Sequence, residues 1–148
     1  MNPEEIMSPA ENVLNGYYKN AAVGECAITS LLSAVSDREF RRELFFQRDY
    51  YENQKHALTA QLASMYQIPV KQGKMAELCT SMSIRMKKIR GIDVHQAAEL
   101  MTKGTNMGMI QLHQVMNQNP DIPDEILQQG KKILSHEREY LDRIAPYL

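Results

Sequence analysis

Apolar side chains in this chain recur at alternating steps of three and four, the spacing of a helix that buries one stripe against its neighbours. The first run is Leu14, Tyr18, Ala21, Glu25, Ile28, Leu32 and Val35; the last is Ile126, Gly130, Ile133, Glu137, Tyr140 and Ile144. An acid interrupts each run. A carboxylate within such a stripe is costly unless it is paired, protonated or bound to a cation. The periodicity predicts an all-α bundle, and the two acids predict a polar layer across its middle.

Capping signals divide the chain. Ser8-Pro9-Ala10-Glu11 and Ser36-Asp37-Arg38-Glu39 read as capping boxes, Asp93-Val94-His95-Gln96 as a restart after Gly91, and Asp121 to Asp124 as a start after the breaker Asn119-Pro120. The expected bundle helices cover about residues 9–35, 37–66, 94–118 and 123–146. The second carries Phe40, Leu44, Gln47, Tyr51, Leu58, Leu62 and Met65 on one stripe; the third carries Ala98, Met101, Thr105, Gly108, Leu112 and Val115. Gly104 and Gly108, four apart, would let a neighbouring backbone come close. A shorter helix over about residues 74–90, after the turn at Pro69 and Gly73, would rise about 24 Å. A crossover of that length lets the second and third bundle helices run parallel. A plain up-and-down array of five helices is the competing wiring.

Composition excludes several classes. Net charge is −1 over 148 residues, so no long-range field favours nucleic acid; the basic run Arg85, Lys87, Lys88 and Arg90 reads as a solvated helix face. No apolar stretch reaches the length of a membrane span, and the acidic start is unlike a secretory signal. Cys26 and Cys79 lack metal-ligand or redox-motif spacing and read as free thiols of a reducing compartment, with a cytoplasmic location expected.

Two dipeptides, Gly24-Glu25 on the first helix and Gly104-Thr105 on the third, stand in corresponding places. Arg48-Asp49-Tyr50-Tyr51 and Glu137-Arg138-Glu139-Tyr140 do so on the second and fourth. On this layout, from Ser8 to Leu148, the chain resembles the ferritin-like superfamily, in particular rubrerythrin-like small bacterial bundle proteins. The resemblance implies a four-helix bundle with one long crossover. It also implies a di-iron site fed by Gly-Glu on two helices and Glu-x-x-His on the other two. Here Gly104 is followed by Thr105, Tyr140 stands where the fourth helix's His belongs, and Asn53-x-x-His56 on the second lacks the carboxylate. A di-iron centre needs about four carboxylates and two histidines. With only Glu25 and Glu137 left, the resemblance implies a bundle that has lost its metal centre.

Glu25 lies about ten residues before the first helix ends and Arg48 about eleven after the second begins. A Glu25–Arg48 pair is therefore expected, Arg being able to hold a carboxylate with two bonds. Gln47, Tyr51, Thr105, Glu137 and Tyr140 complete the expected polar core. His136, next to Glu137 in sequence, reads as an exposed helix residue, and Glu52 with His56 as a surface pair. Phe45, Phe46, Met82, Met86, Met107 and Met109 leave the main stripes and would serve the crossover helix or a dimer interface. The expectation is a non-enzymatic structural or protein-interaction module that self-associates, with no cofactor and no nucleic-acid or membrane partner. The alternative is a metal or redox protein holding iron or manganese on Glu25, Glu137 and Tyr51 or Tyr140.

Overall fold

A computed structural model describes residues 7–69, 77, 79–81 and 91–148. Four long helices, α1 (Pro9–Leu32), α2 (Arg38–Ala63), α3 (Val94–Gln118) and α4 (Asp124–Ile144), are followed by a single 3-10 turn over Ala145–Tyr147. No strand occurs among the described residues. The expected crossover helix over residues 74–90 lies mostly outside them; Glu77 and Cys79 to Ser81 are helical.

The ends of the helices follow their caps. Ser8 and Glu11 form the reciprocal box at the start of α1, and Asp93 with Gln96 does the same for α3. At α2 the cap is Asp37 rather than Ser36: its carboxylate accepts from the Phe40 N–H at 2.9 Å, so the helix opens at Arg38. α1 stops at Leu32, three residues before the expected end. The Arg41 guanidinium donates to the Leu32 and Val35 carbonyls, satisfying acceptors that the ended helix leaves unpaired. α2 ends at Ala63 and Tyr66 takes the left-handed conformation just beyond (φ 59°).

Side-chain contacts fix the helix directions. Arg41 near the start of α2 reaches the Leu32 carbonyl at the end of α1, and Tyr51 further on meets Gly24, so α1 and α2 are antiparallel. Gly16 meets Val115 and Gly108 meets Asn20, so α1 and α3 are antiparallel as well. Glu43 pairs with Arg143 and Gln61 with Gln129, opposing α2 and α4. α2 and α3 therefore run parallel, a direction that both a long crossover and a five-helix up-and-down array give.

The apolar interior is split along the bundle axis into two clusters. One gathers Phe40, Leu44, Ile28, Met101 and Ile144; the other gathers Leu14, Leu58, Leu62, Leu112 and Ile133. Gln47, Tyr51 and Glu137 lie between them in level along α2 and α4.

Two expectations are corrected by packing. The inward stripe of α1 is Leu14, Tyr17, Ala21, Gly24, Ile28 and Leu31, which also alternates threes and fours; Tyr18 is buried beside Tyr17 as expected, but Gly24 and Leu31 take the places expected of Glu25 and Leu32. Gly24 holds the inward slot because the Tyr51 ring fills it: a Cβ there would lie 2.4 Å from a ring carbon. Glu25 is thereby turned outward by about 100°. The cysteines are not free thiols. Cys26 and Cys79 form a disulfide with Cα atoms 5.3 Å apart, which fastens residue 79 of the connection to α1. Cys26 stands about 160° round the helix from Gly24, on the flank away from the core.

Candidate functional site

Glu137 is the centre of the polar layer. It is 1% exposed, held on the inner stripe of α4 between Ile133 and Tyr140. Three donors from two other helices converge on its carboxylate. The Asn20 amide of α1 donates to Oε1 at 3.2 Å, and the Gln47 amide and Tyr51 hydroxyl of α2 donate to Oε2 at 3.1 and 3.0 Å. Burial raises the Glu137 pKa to about 7, against the opposing pull of these three hydrogen bonds. Burial, together with the nearby carboxylate, likewise holds the Tyr51 hydroxyl well above its ordinary value and so keeps it a donor.

A second tier extends from Gln47. With its amide nitrogen committed to Glu137, its oxygen faces His136 Nε2 at 3.0 Å, so that nitrogen carries the ring's proton. The His136 ring lies flat on Tyr50, centroids 3.4 Å apart and planes 11° from parallel. Burial and Arg143 lower the His136 pKa, which favours the neutral ring this tier uses. His136 is therefore half-buried and structural, where the sequence reading left it on the surface. Asn20 escaped that reading too. The one signal for it was Gly108, whose missing side chain makes room for the Asn20 amide: a Cβ there would sit 2.4 Å from Oδ1.

The remaining expected members divide. Gln47, Tyr51 and Glu137 come together as predicted. Glu25 does not: its side chain is 25% exposed and its carboxylate pairs with Lys55 Nζ at 3.0 Å. Arg48 is not its partner; the guanidinium lies 5.0 Å from the Phe45 ring centroid. Its residue faces the outer side of α2, because Gln47 and Tyr51 take the inward slots. Thr105 and Tyr140 are buried at or near the layer, yet neither hydroxyl has a hydrogen-bond partner in the described structure. Glu52 and His56 are exposed, as expected for a surface pair.

This donor set does not fit a di-metal centre. A bound cation needs lone pairs turned toward it. Here two amide N–H groups and one hydroxyl are turned toward the single buried carboxylate, and Glu25 is committed elsewhere. Among the described residues no three His, Cys, Asp or Glu side chains are grouped to hold a metal. What the arrangement can do is keep one carboxylate buried and change its charge near neutral pH.

The α1–α3 side is built differently. A groove of about 250 Å3 runs between these helices, lined mostly by apolar side chains, with Asn20, Tyr51, Thr105 and Gln111 as its polar members. No known family, curated protein or solved structure matches the chain. Among the described residues no helix is long and apolar enough to cross a membrane.

Proposed function

We propose that this chain is a ferritin-like helical bundle without a di-metal centre, acting as a non-enzymatic structural or protein-interaction module that self-associates. The observation that carries the reading is the convergence of Asn20, Gln47 and Tyr51 on Glu137: the position that the resemblance gives to a metal ligand holds a carboxylate surrounded by donors. The parallel setting of α2 and α3 is one that a ferritin-like crossover requires, as does a five-helix up-and-down array. Support for an interaction role comes from α2, where Phe46 is 61% exposed beside Phe45, and Arg41 and Arg48 lie over the Phe45 ring. Exposed aromatics flanked by arginines are the usual anchors of protein interfaces.

The test has two arms. The protein is purified after growth with added iron and manganese, and bound metal is measured by mass spectrometry; only trace amounts are expected, and a stoichiometric metal would overturn the reading. Light scattering over a concentration range is expected to show a dimer or larger species that Phe46→Glu disperses. A strict monomer at every concentration would remove self-association from the proposal.

A further inference from the structure

The groove between α1 and α3 is not accounted for by any role given above. Val23, Ala27, Leu31, Leu100 and Met101 line it, and no acidic, basic or histidine side chain does. Its volume of about 250 Å3 exceeds the roughly 150 Å3 of an apolar cavity able to take benzene, and falls just below the roughly 300 Å3 at which drug-sized pockets begin.

Three glycines border this space, and two of them have an evident packing reason. Tyr51 fills the slot at Gly24 and Asn20 the slot at Gly108. Gly104 has none: a Cβ there would meet nothing within 4 Å. Glycine inside a helix weakens it relative to alanine, so a glycine facing open space keeps that space open at a cost in helix stability. Next in sequence, Thr105 lines the same groove, 6% exposed, with a hydroxyl that has no hydrogen-bond partner among the described residues. A buried, unpaired hydroxyl costs free energy until something satisfies it. A helical threonine normally satisfies its hydroxyl on the carbonyl four residues back, and this one does not.

We propose that the α1–α3 groove is a binding site for a small, uncharged, mostly apolar molecule bearing a single hydrogen-bonding oxygen. The apolar walls take its hydrocarbon portion, and Thr105 takes the oxygen. Charge selects against an anionic head. The Tyr51 hydroxyl and Asn20 amide at the floor already donate to Glu137, leaving an incoming carboxylate no cation and a buried acid behind the floor. This site stands whether or not the chain works as an interaction module.

The test titrates the full-length protein with 1-octanol and with octanoate, followed by calorimetry and by amide NMR shifts. Saturable octanol binding is expected, with shifts centred on Gly24, Gly104 and Thr105, and octanoate weaker by about tenfold or more. Gly104→Leu should abolish octanol binding while raising the melting temperature. Should that variant not fold, Gly104→Ala, which adds one methyl to the groove, should weaken binding and also raise the melting temperature. Thr105→Val should weaken octanol binding by about tenfold and leave the melting temperature no lower. The proposal is overturned by non-saturable octanol binding, by octanoate binding as tightly as octanol, or by unchanged octanol affinity in the Gly104 variants. It is also overturned if Gly104→Leu turns a wild-type dimer into a monomer while octanol leaves the wild type unshifted. The groove would then be a contact between copies, with Leu100 and Met107 at its rim.

Discussion

Glu25 and Glu137 occupy matching places in their helices and meet opposite fates. Glu25 sits on the shoulder of α1, partly wet, paired with a lysine and adjacent to the disulfide-bonded Cys26. Glu137 sits dry on α4, its negative end met by three side-chain donors. A single step along α1 makes the difference: Gly24 takes the inward slot because Tyr51 needs it, and Glu25 is turned to the half-buried flank beside Lys55. Position in an apolar pattern therefore marks a residue as a candidate for burial. Which of two adjacent residues is buried is decided by the volume of the side chain opposite.

The contrast can be broken in four ways, in falling order of effect. Glu137→Ala removes the acceptor that Asn20, Gln47 and Tyr51 share and leaves a hole in its place. Chemical denaturation at pH 6 is expected to show a loss of about 4–5 kcal/mol. A loss under about 1 kcal/mol would mean that water reaches the layer and satisfies the donors.

Breaking the covalent tie on the shoulder should cost slightly less. The Cys26–Cys79 link spans 53 residues, for which chain-entropy reasoning gives about 4 kcal/mol. Cys26→Ser, compared with wild type in non-reducing buffer, is expected to lower the melting temperature accordingly. An unchanged melting point, or two reactive thiols in the native protein, would count against the link.

The third expectation concerns pH. The pKa of Glu137 is raised from an ordinary 4.5 to about 7, so between those values the folded state holds a proton that the unfolded state has released. Its contribution to stability is therefore full below about pH 4.5 and declines as pH rises toward 7, by about 3 kcal/mol in all. Glu137→Gln cannot titrate, so the stability difference between wild type and this variant should drift against the wild type from pH 5 to 7.5. A constant difference would place the carboxyl near its ordinary pKa.

The smallest effect belongs to the shoulder acid. Glu25→Ala is expected to shift stability by less than about 1 kcal/mol, since a partly exposed ion pair contributes little, and 0.5 M salt should shrink even that. A loss comparable to that of Glu137→Ala would erase the contrast between the two acids.

How much of this was legible in the sequence differs by helix. The stripe of α2 is buried from Phe40 to Leu62, and that of α4 is buried at every position from Ile126 to Ile144, because neither has a rival stripe of similar apolarity. On α1 two stripes compete: Gly24 and Leu31 win over Glu25 and Leu32 at the core face, while Tyr17 and Tyr18 are both buried. No local signal separates them, since the choice rests on Tyr51 of another helix. The Glu25–Arg48 pairing failed for the same reason: level along a hairpin was read correctly, but helix phase was not. Asn20 and His136 stayed hidden because polar side chains beside a stripe look like surface until a buried partner is known. The disulfide was missed because a separation of 53 residues carries no spacing signature.

The polar layer also has a consequence for how the bundle comes apart. Its hydrogen bonds tie α1, α2 and α4 to one another, while α3 sends no side-chain hydrogen bond into it among the described residues; the bond from His95 to the Tyr147 carbonyl holds only one end of α3. Three helices are latched and the fourth is merely greased into place. If the polar layer sets the order of opening, the amides of α3 should be the first of the four helices to trade hydrogen for deuterium.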